Sequence, residues 1–377
     1  MEQIFTRSII AAAGIVLAQA GAQGQGCVAI RSFVSCNPNA FTNSSMVGKG
    51  FQLSLNYRYF ESYRHYSGSE ENVSRQELKT AVFNWTNQVN VGLTYNMSKR
   101  NGITVMLPYA YNTRSSLYEH GGSVGRYQTR SAGIGDMRVI FNHWIWNPDS
   151  VSTGNLQVGA GAKLPTGDFN AMNFFYNEGT DTVPNSASNP WGQYQPVDQS
   201  IQLGDGGLGF TLEMNGYVKF AGPLYGYLNA FYLINPMETN GTRTFRSRAN
   251  EGIMSVPDQY MARGGVNWNA SKKLGLNIFF GLRTEGLPVE DLVGGSKGFR
   301  RPGYVNSIEP GIDWMRGRHD VNISVPIVMD RNRTQSVTDK ENTEASTTGQ
   351  KVHGDAGFAD YVVNISWSIR LGSGLLH

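Results

Sequence analysis

The chain has 377 residues, 40% of them hydrophobic and 16% charged, with a net charge of +3, so it could hold two ordinary soluble domains or one large all-β domain, and nothing in it points to a nucleic-acid partner. Its 45 glycines and 18 tyrosines favour many strands and turns over helices, because aromatic side chains fit a pleated surface and glycine permits tight turns. No stretch beyond the N-terminus approaches the roughly 18–20 consecutive apolar residues of a membrane helix, so a chain integral to a membrane would have to be a closed barrel.

Residues 1–22 read as a signal peptide: a basic residue at Arg7, an apolar and small-residue run over 8–17, and a small-x-small cleavage site at Ala18-Gln19-Ala20 or Ala20-Gly21-Ala22. Residues 23–49 then form a periplasmic segment. It carries the only two cysteines, Cys27 and Cys36, and in an exported, oxidising setting these are expected to form a disulfide. Lipid attachment at Cys27 is the rival reading.

From Phe51 onward the pattern has a period of two. Phe51, Leu53, Leu55, Tyr57 and Tyr59 share one parity, against Gln52, Ser54, Asn56 and Arg58 on the other. The same alternation recurs over 83–97 and 103–111, and further segments follow at 130–146, 156–164, 208–220, 224–234, 260–268, 274–283, 308–314, 321–329 and 361–371. That makes about twelve antiparallel strands over a barrel unit of 50–371, followed by a tail, 372–377. The segment at 130–146 is the weakest, since both of its faces are partly apolar.

The connections alternate strictly between short and long. Short links fall at 98–102, 147–154, 221–223, 270–273 and 316–319, and long polar links at 64–79, 112–127, 166–205, 237–256, 285–303 and 330–357. Short periplasmic turns and long external loops alternate in this way in a transmembrane barrel of the bacterial outer membrane. Tyr57, Tyr59, Tyr109 and Tyr111 would then lie near the external rim, and Tyr95, Trp144, Trp146, Trp268 and Trp314 near the periplasmic rim, as two interfacial girdles.

Three motifs carry a family resemblance: Gly133-Ile134-Gly135-Asp136, then Gly159-Ala160-Gly161-Ala162-Lys163-Leu164-Pro165-Thr166-Gly167-Asp168, then Ile308-Glu309-Pro310-Gly311. Over roughly 133–371 the chain resembles a family of outer-membrane proteins linked to the meta pathway of phenol degradation. The resemblance implies a transporter-like barrel for small aromatic or other hydrophobic compounds.

Taking the second parity as inward, the lumen would be lined by Arg58, Arg138, Lys163, Glu213, Arg263, Arg283, Glu309, Asp313, Asp360 and Arg370, with Asp136 among them. These groups suit cross-lumen ion pairs or a polar path for solutes. The loop 166–205 has five carboxylates and no basic side chain, and its candidate mouth residues are Asp168, Phe174, Phe175, Glu178, Asp181 and Trp191. Such a loop could constrict the mouth, bind solute or Ca²⁺, or remain a solvated external loop. Folded inward, it would create a negative potential favouring cations and neutral aromatic solutes over anions.

None of the six histidines sits in a recognisable nucleophile motif, and no phosphate loop, zinc cluster or dinucleotide fingerprint is present, so no catalytic residue, metal or cofactor is assigned. The reading is an outer-membrane channel or transporter with lipids, a small-molecule solute and the barrel-assembly machinery as partners. A structural or adhesive barrel with a plugged lumen is the first alternative, and an outer-membrane hydrolase the second.

Overall fold

The computed structural model describes residues 49–120, 126–151, 153–176 and 192–371; the expected signal peptide 1–22, Cys27, Cys36, Glu178, Asp181, Trp191 and the tail 372–377 lie outside these. Twelve antiparallel strands form the wall: β1 (Gly50–Ser67), β2 (Phe83–Asn96), β3 (Asn101–Ser116), β4 (Tyr127–Ile134 and Met137–Trp144), β5 (Gly154–Leu164) and β6 (Gly209–Ala221). The second half comprises β7 (Leu224–Ile234), β8 (Gln259–Ser271), β9 (Leu276–Leu287), β10 (Gly303–Arg316), β11 (His319–Ser324 and Ile327–Asn332) and β12 (Ala356–Leu371). Each strand pairs with its chain neighbours, and β12 returns to β1 with Leu53 opposite Ile369 and Tyr57 opposite Ile365. Closure leaves no edge strand, so the wall satisfies its own backbone hydrogen bonds, as lipid requires.

Burial along the strands is inverted relative to a soluble protein. Leu282 is 58% and Leu212 53% exposed on the outer surface, whereas Arg263 is 2% and Glu309 0% exposed inside. An outward apolar band around a polar interior is the signature of a barrel immersed in lipid. Tyr109 and Tyr111 are exposed toward the long-loop end, and Tyr95, Trp268 and Trp314 toward the short-turn end. Trp144 departs from the expected girdle. It is buried and packs edge-on against Tyr217, because it falls on the inward parity of β4.

Two strands are interrupted, one at the weakest alternation and one within a clean one. β4 breaks at Gly135-Asp136, and its outer segment pairs with β3 but not with β5. β11 breaks at Val325-Pro326, since proline has no N–H for the ladder. Several strands also run beyond their expected ends: β1 reaches Ser67, β3 reaches Ser116 and β9 reaches Leu287. Those extensions stand at the long-loop end, where polar residues on both faces hide the period-two signal. The long loops carry their own small elements there, among them a ribbon of Thr239–Arg243 with Ile253–Ser255 and a helix, Val337–Glu344, closed by a capping box between Ser336 and Asp339.

Candidate functional site

Midway down the barrel, polar side chains from non-adjacent strands meet across the interior. Arg58 on β1 donates to Glu285 on β9 at 2.7 Å, although β1 pairs only with β2, β12 and the short Glu70–Glu71 strand. Glu285 also accepts from Arg283 at 2.8 Å, and Arg263 on β8 donates to Glu309 on β10 at 2.8 Å. Ser324 completes the contact by donating to Glu309. From Arg263 a belt of amides continues through Asn229 and Asn215 to Gln157 on β5. Three buried guanidiniums share two buried carboxylates, and this shared pairing ties strands from opposite sides of the barrel together across the interior.

Nearer the long-loop end, the chain between β5 and β6 turns back into the barrel mouth. Asp198 accepts two bonds from Arg301, at 2.8 and 2.6 Å, lies 3.5 Å from Arg114, and caps the next turn through the Ser200 amide at 2.9 Å. Burial pushes the Asp198 carboxyl upward, but the guanidiniums of Arg114 and Arg301 outweigh it and hold the group well below the ordinary carboxylate range. Arg114 is further neutralised by Glu119, and Ile201, fully buried, is held through its carbonyl by Ser131 and Asn112. Residues 198–205 thus form an inward plug.

Two of the three motifs singled out in the sequence meet at the base of this plug, and the third contributes Glu309 to the central network. Asp136 accepts from the amides of Gly167 and Asp205, both at 3.0 Å, while Lys163 reaches between Asp136 and Asp205. A β-carbon on Gly167 would stand 2.9 Å from backbone atoms of both Gly135 and Gly204. Three backbones therefore cross where only glycine fits, and the strand break in β4 gives the plug its place in the wall.

Cavities lie on both sides of the plug. The outer one, about 560 Å³, is enclosed by the loops after β1, β7, β9 and β11. It shares Arg75, Arg246 and Asp355 with a second chamber of about 220 Å³ that reaches Arg301 and Glu119. On the barrel side, about 40 Å³ remains between Gln202, Lys163 and Gln88. His120, near the plug, accepts from the Tyr176 amide and stacks on Phe175; burial pushes its imidazole down to about 4.

The residues named from the sequence fall in six separate places. Arg58, Arg263, Arg283 and Glu309 meet in the central network, and Arg138 faces Glu213 at 3.6 Å in a separate pair. Lys163 belongs to the plug. Asp313, bonded by Asn277, and Arg370, bonded to the Lys49 carbonyl, lie toward the short-turn end, and Asp360 pairs with Arg64 and Arg331 among the external extensions. In the mouth loop, Phe175 is buried but Asp168 is exposed and only caps its own turn. The carboxylates Asp198 and Asp205 do not leave the mouth negative, because Arg301, Arg114 and Lys163 arrive from elsewhere in the chain. Sequence reasoning missed Glu285, Arg114 and Arg301 by assigning them to loops. Glu285 could have been found, since it shares the parity of Arg283.

No protein-family model and no curated protein matches the sequence. Among solved structures, the chain superposes on an outer membrane channel from Pseudomonas putida F1 with a TM-score of 0.54 and 11% identity, over 86% of this chain and 96% of that one. A looser match is the toluene transporter TbuX of Ralstonia pickettii, with a TM-score of 0.41 and 9% identity over 93% and 100% of the two chains, and it carries no weight for function. The first likeness is one of fold, and it agrees with the closed twelve-strand wall and its outward apolar band: the chain is a β-barrel of the bacterial outer membrane.

Proposed function

We propose that the protein is an outer-membrane channel that passes small solutes, aromatic ones among them, through its lumen, with residues 198–205 as the constriction. The observation that carries this reading is polar lining on both sides of a plug held by side chains and not by strand pairing, with charged groups around the external chambers and the ion-paired network below. Ion pairs and single hydrogen bonds can exchange for water and solute at far lower cost than a ladder of backbone bonds. No enzymatic role is assigned, and insertion by the barrel-assembly machinery is part of the same reading. The purified barrel in a planar bilayer should show discrete unitary currents; an electrically silent protein that is folded by heat-modifiability would refute the channel. The contact between Arg58 and Glu285 across the interior favours a second reading, a structural barrel with a permanently closed lumen, and the same recording decides between them.

A further inference from the structure

We propose that the external cavity is a binding site for small organic anions, whose carboxylate is held by Arg246, Arg248 and Lys351 beside the ring of Phe299, with Phe245 in the adjoining chamber. The inference rests on the channel reading, since it names the solute class its external site would take.

The argument begins with how the cations around the cavity are matched. Arg300 is bound by Asp291 through bonds of 2.8 and 2.6 Å, Arg333 by Asp339 at 3.0 Å, and Arg75 by Asp355 at 2.5 Å. Among the described residues, Arg246 and Arg248 have only Glu251 as a carboxylate partner, at 3.9 and 3.5 Å, and both distances are too long for strong charge-assisted bonds. The Arg246 Nε is shielded from solvent and donates no hydrogen bond among the described residues, and the same holds for the Nε of the buried Arg333. Lys351 lines the same cavity, is exposed, and has no ion pair among the described residues. One side of the cavity therefore carries positive charge in excess of its carboxylates, in a recess where the field is focused.

Arg246, partly desolvated, and the exposed Arg248 have only a distant, shared carboxylate, and a bound carboxylate supplies both the charge and the planar acceptor pair that a guanidinium fits. Burial, with Arg301 nearby, pushes the Arg246 guanidinium downward in pKa, which has the same origin. The guanidinium carbon of Arg246 stands 4.6 Å from the Phe299 ring and 5.2 Å from that of Phe245. Stacking fixes its plane, and Phe245, 47% exposed, leaves an apolar surface in the adjoining chamber, which Arg246 also lines. A ring-bearing carboxylate meets both features, and a cavity of about 560 Å³ is ample for it. This sign is opposite to the one expected from the acidic loop.

The test uses the full-length barrel in detergent, titrated calorimetrically with benzoate, benzyl alcohol and inorganic phosphate. Benzoate should bind saturably, benzyl alcohol should not, and Lys351→Gln and Arg246→Gln should each weaken benzoate by about tenfold, the scale of one lost charge-assisted contact. Lys351 is at the surface, so its variant keeps the test valid if Arg246→Gln fails to fold. Equal binding of the alcohol, or unchanged benzoate affinity in both variants, overturns the proposal. Displacement of benzoate by equimolar phosphate overturns the organic class, because the site would then serve any oxyanion, a lipid phosphate included. Unitary currents without benzoate binding sink this inference and leave the channel standing; binding without currents does the reverse.

Discussion

Replacing Asp198 by asparagine should open the constriction. The side chain is 1% exposed and is the partner of Arg301, while Arg114 retains Glu119 as a second partner. The substitution keeps the shape of the residue but takes from the buried Arg301 its bidentate carboxylate. Breaking a buried ion pair from one side costs about 3–5 kcal/mol, and the compensation at Arg114 places the expected cost near the lower end, about 3 kcal/mol. If that cost falls on the plugged arrangement alone, the ratio of plugged to open forms shifts by about two orders of magnitude. Single-channel recording should then show a larger or more frequently open conductance for Asp198→Asn than for the wild type. Arg301→Leu on the Asp198→Asn background should restore part of the closed behaviour, because it removes the buried charge that Asp198 had matched. Conductance and open probability unchanged in Asp198→Asn, with the barrel folded, would refute the assignment of this segment as the constriction.

Gly204→Ala should loosen the same plug by about 1–3 kcal/mol, since its new methyl would meet the Gly167 carbonyl, and faster proteolysis of the folded barrel within the plug would report it. Deleting residues 174–195 should leave conductance nearly unchanged, because the anchors Asp198, Arg301 and Asp136 all remain; a large rise would move the constriction to the ribbon of Met172–Tyr176 and Gly192–Pro196. Val91→Arg on the outer face should cost about 2–4 kcal/mol near the bilayer midplane and reduce the heat-modifiable folded fraction, whereas assembly at wild-type yield would contradict the lipid-facing assignment. His120 should titrate by NMR near pH 4. Its folded value is depressed, so the stability it contributes is complete above about pH 6.5, its unfolded value, and is lost as pH falls from there through about 4; a midpoint above 6 would remove the buried contact with Tyr176.

The barrel itself was legible in the sequence because lipid imposes a local rule. In β2, Val89, Val91 and Leu93 face hydrocarbon while Gln88, Asn90 and Gly92 face inward, and that alternation needs no knowledge of the partner strand. The inward placement of Arg58, Arg263, Arg283 and Glu309 follows from the same parity. Which of them touch does not, because Arg58 and Glu285 are separated by 227 positions and meet only once closure brings β1 opposite β9. The acidic composition of residues 166–205 was equally visible, yet its electrostatic consequence was not. Arg301, Arg114 and Lys163 belong to other segments, and charge at a point in space is a sum over the fold and not over a stretch of chain. Beyond the membrane the period-two constraint ends, so the extension of β3 to Ser116, the plug and the basic external cavity were decided by tertiary contacts alone.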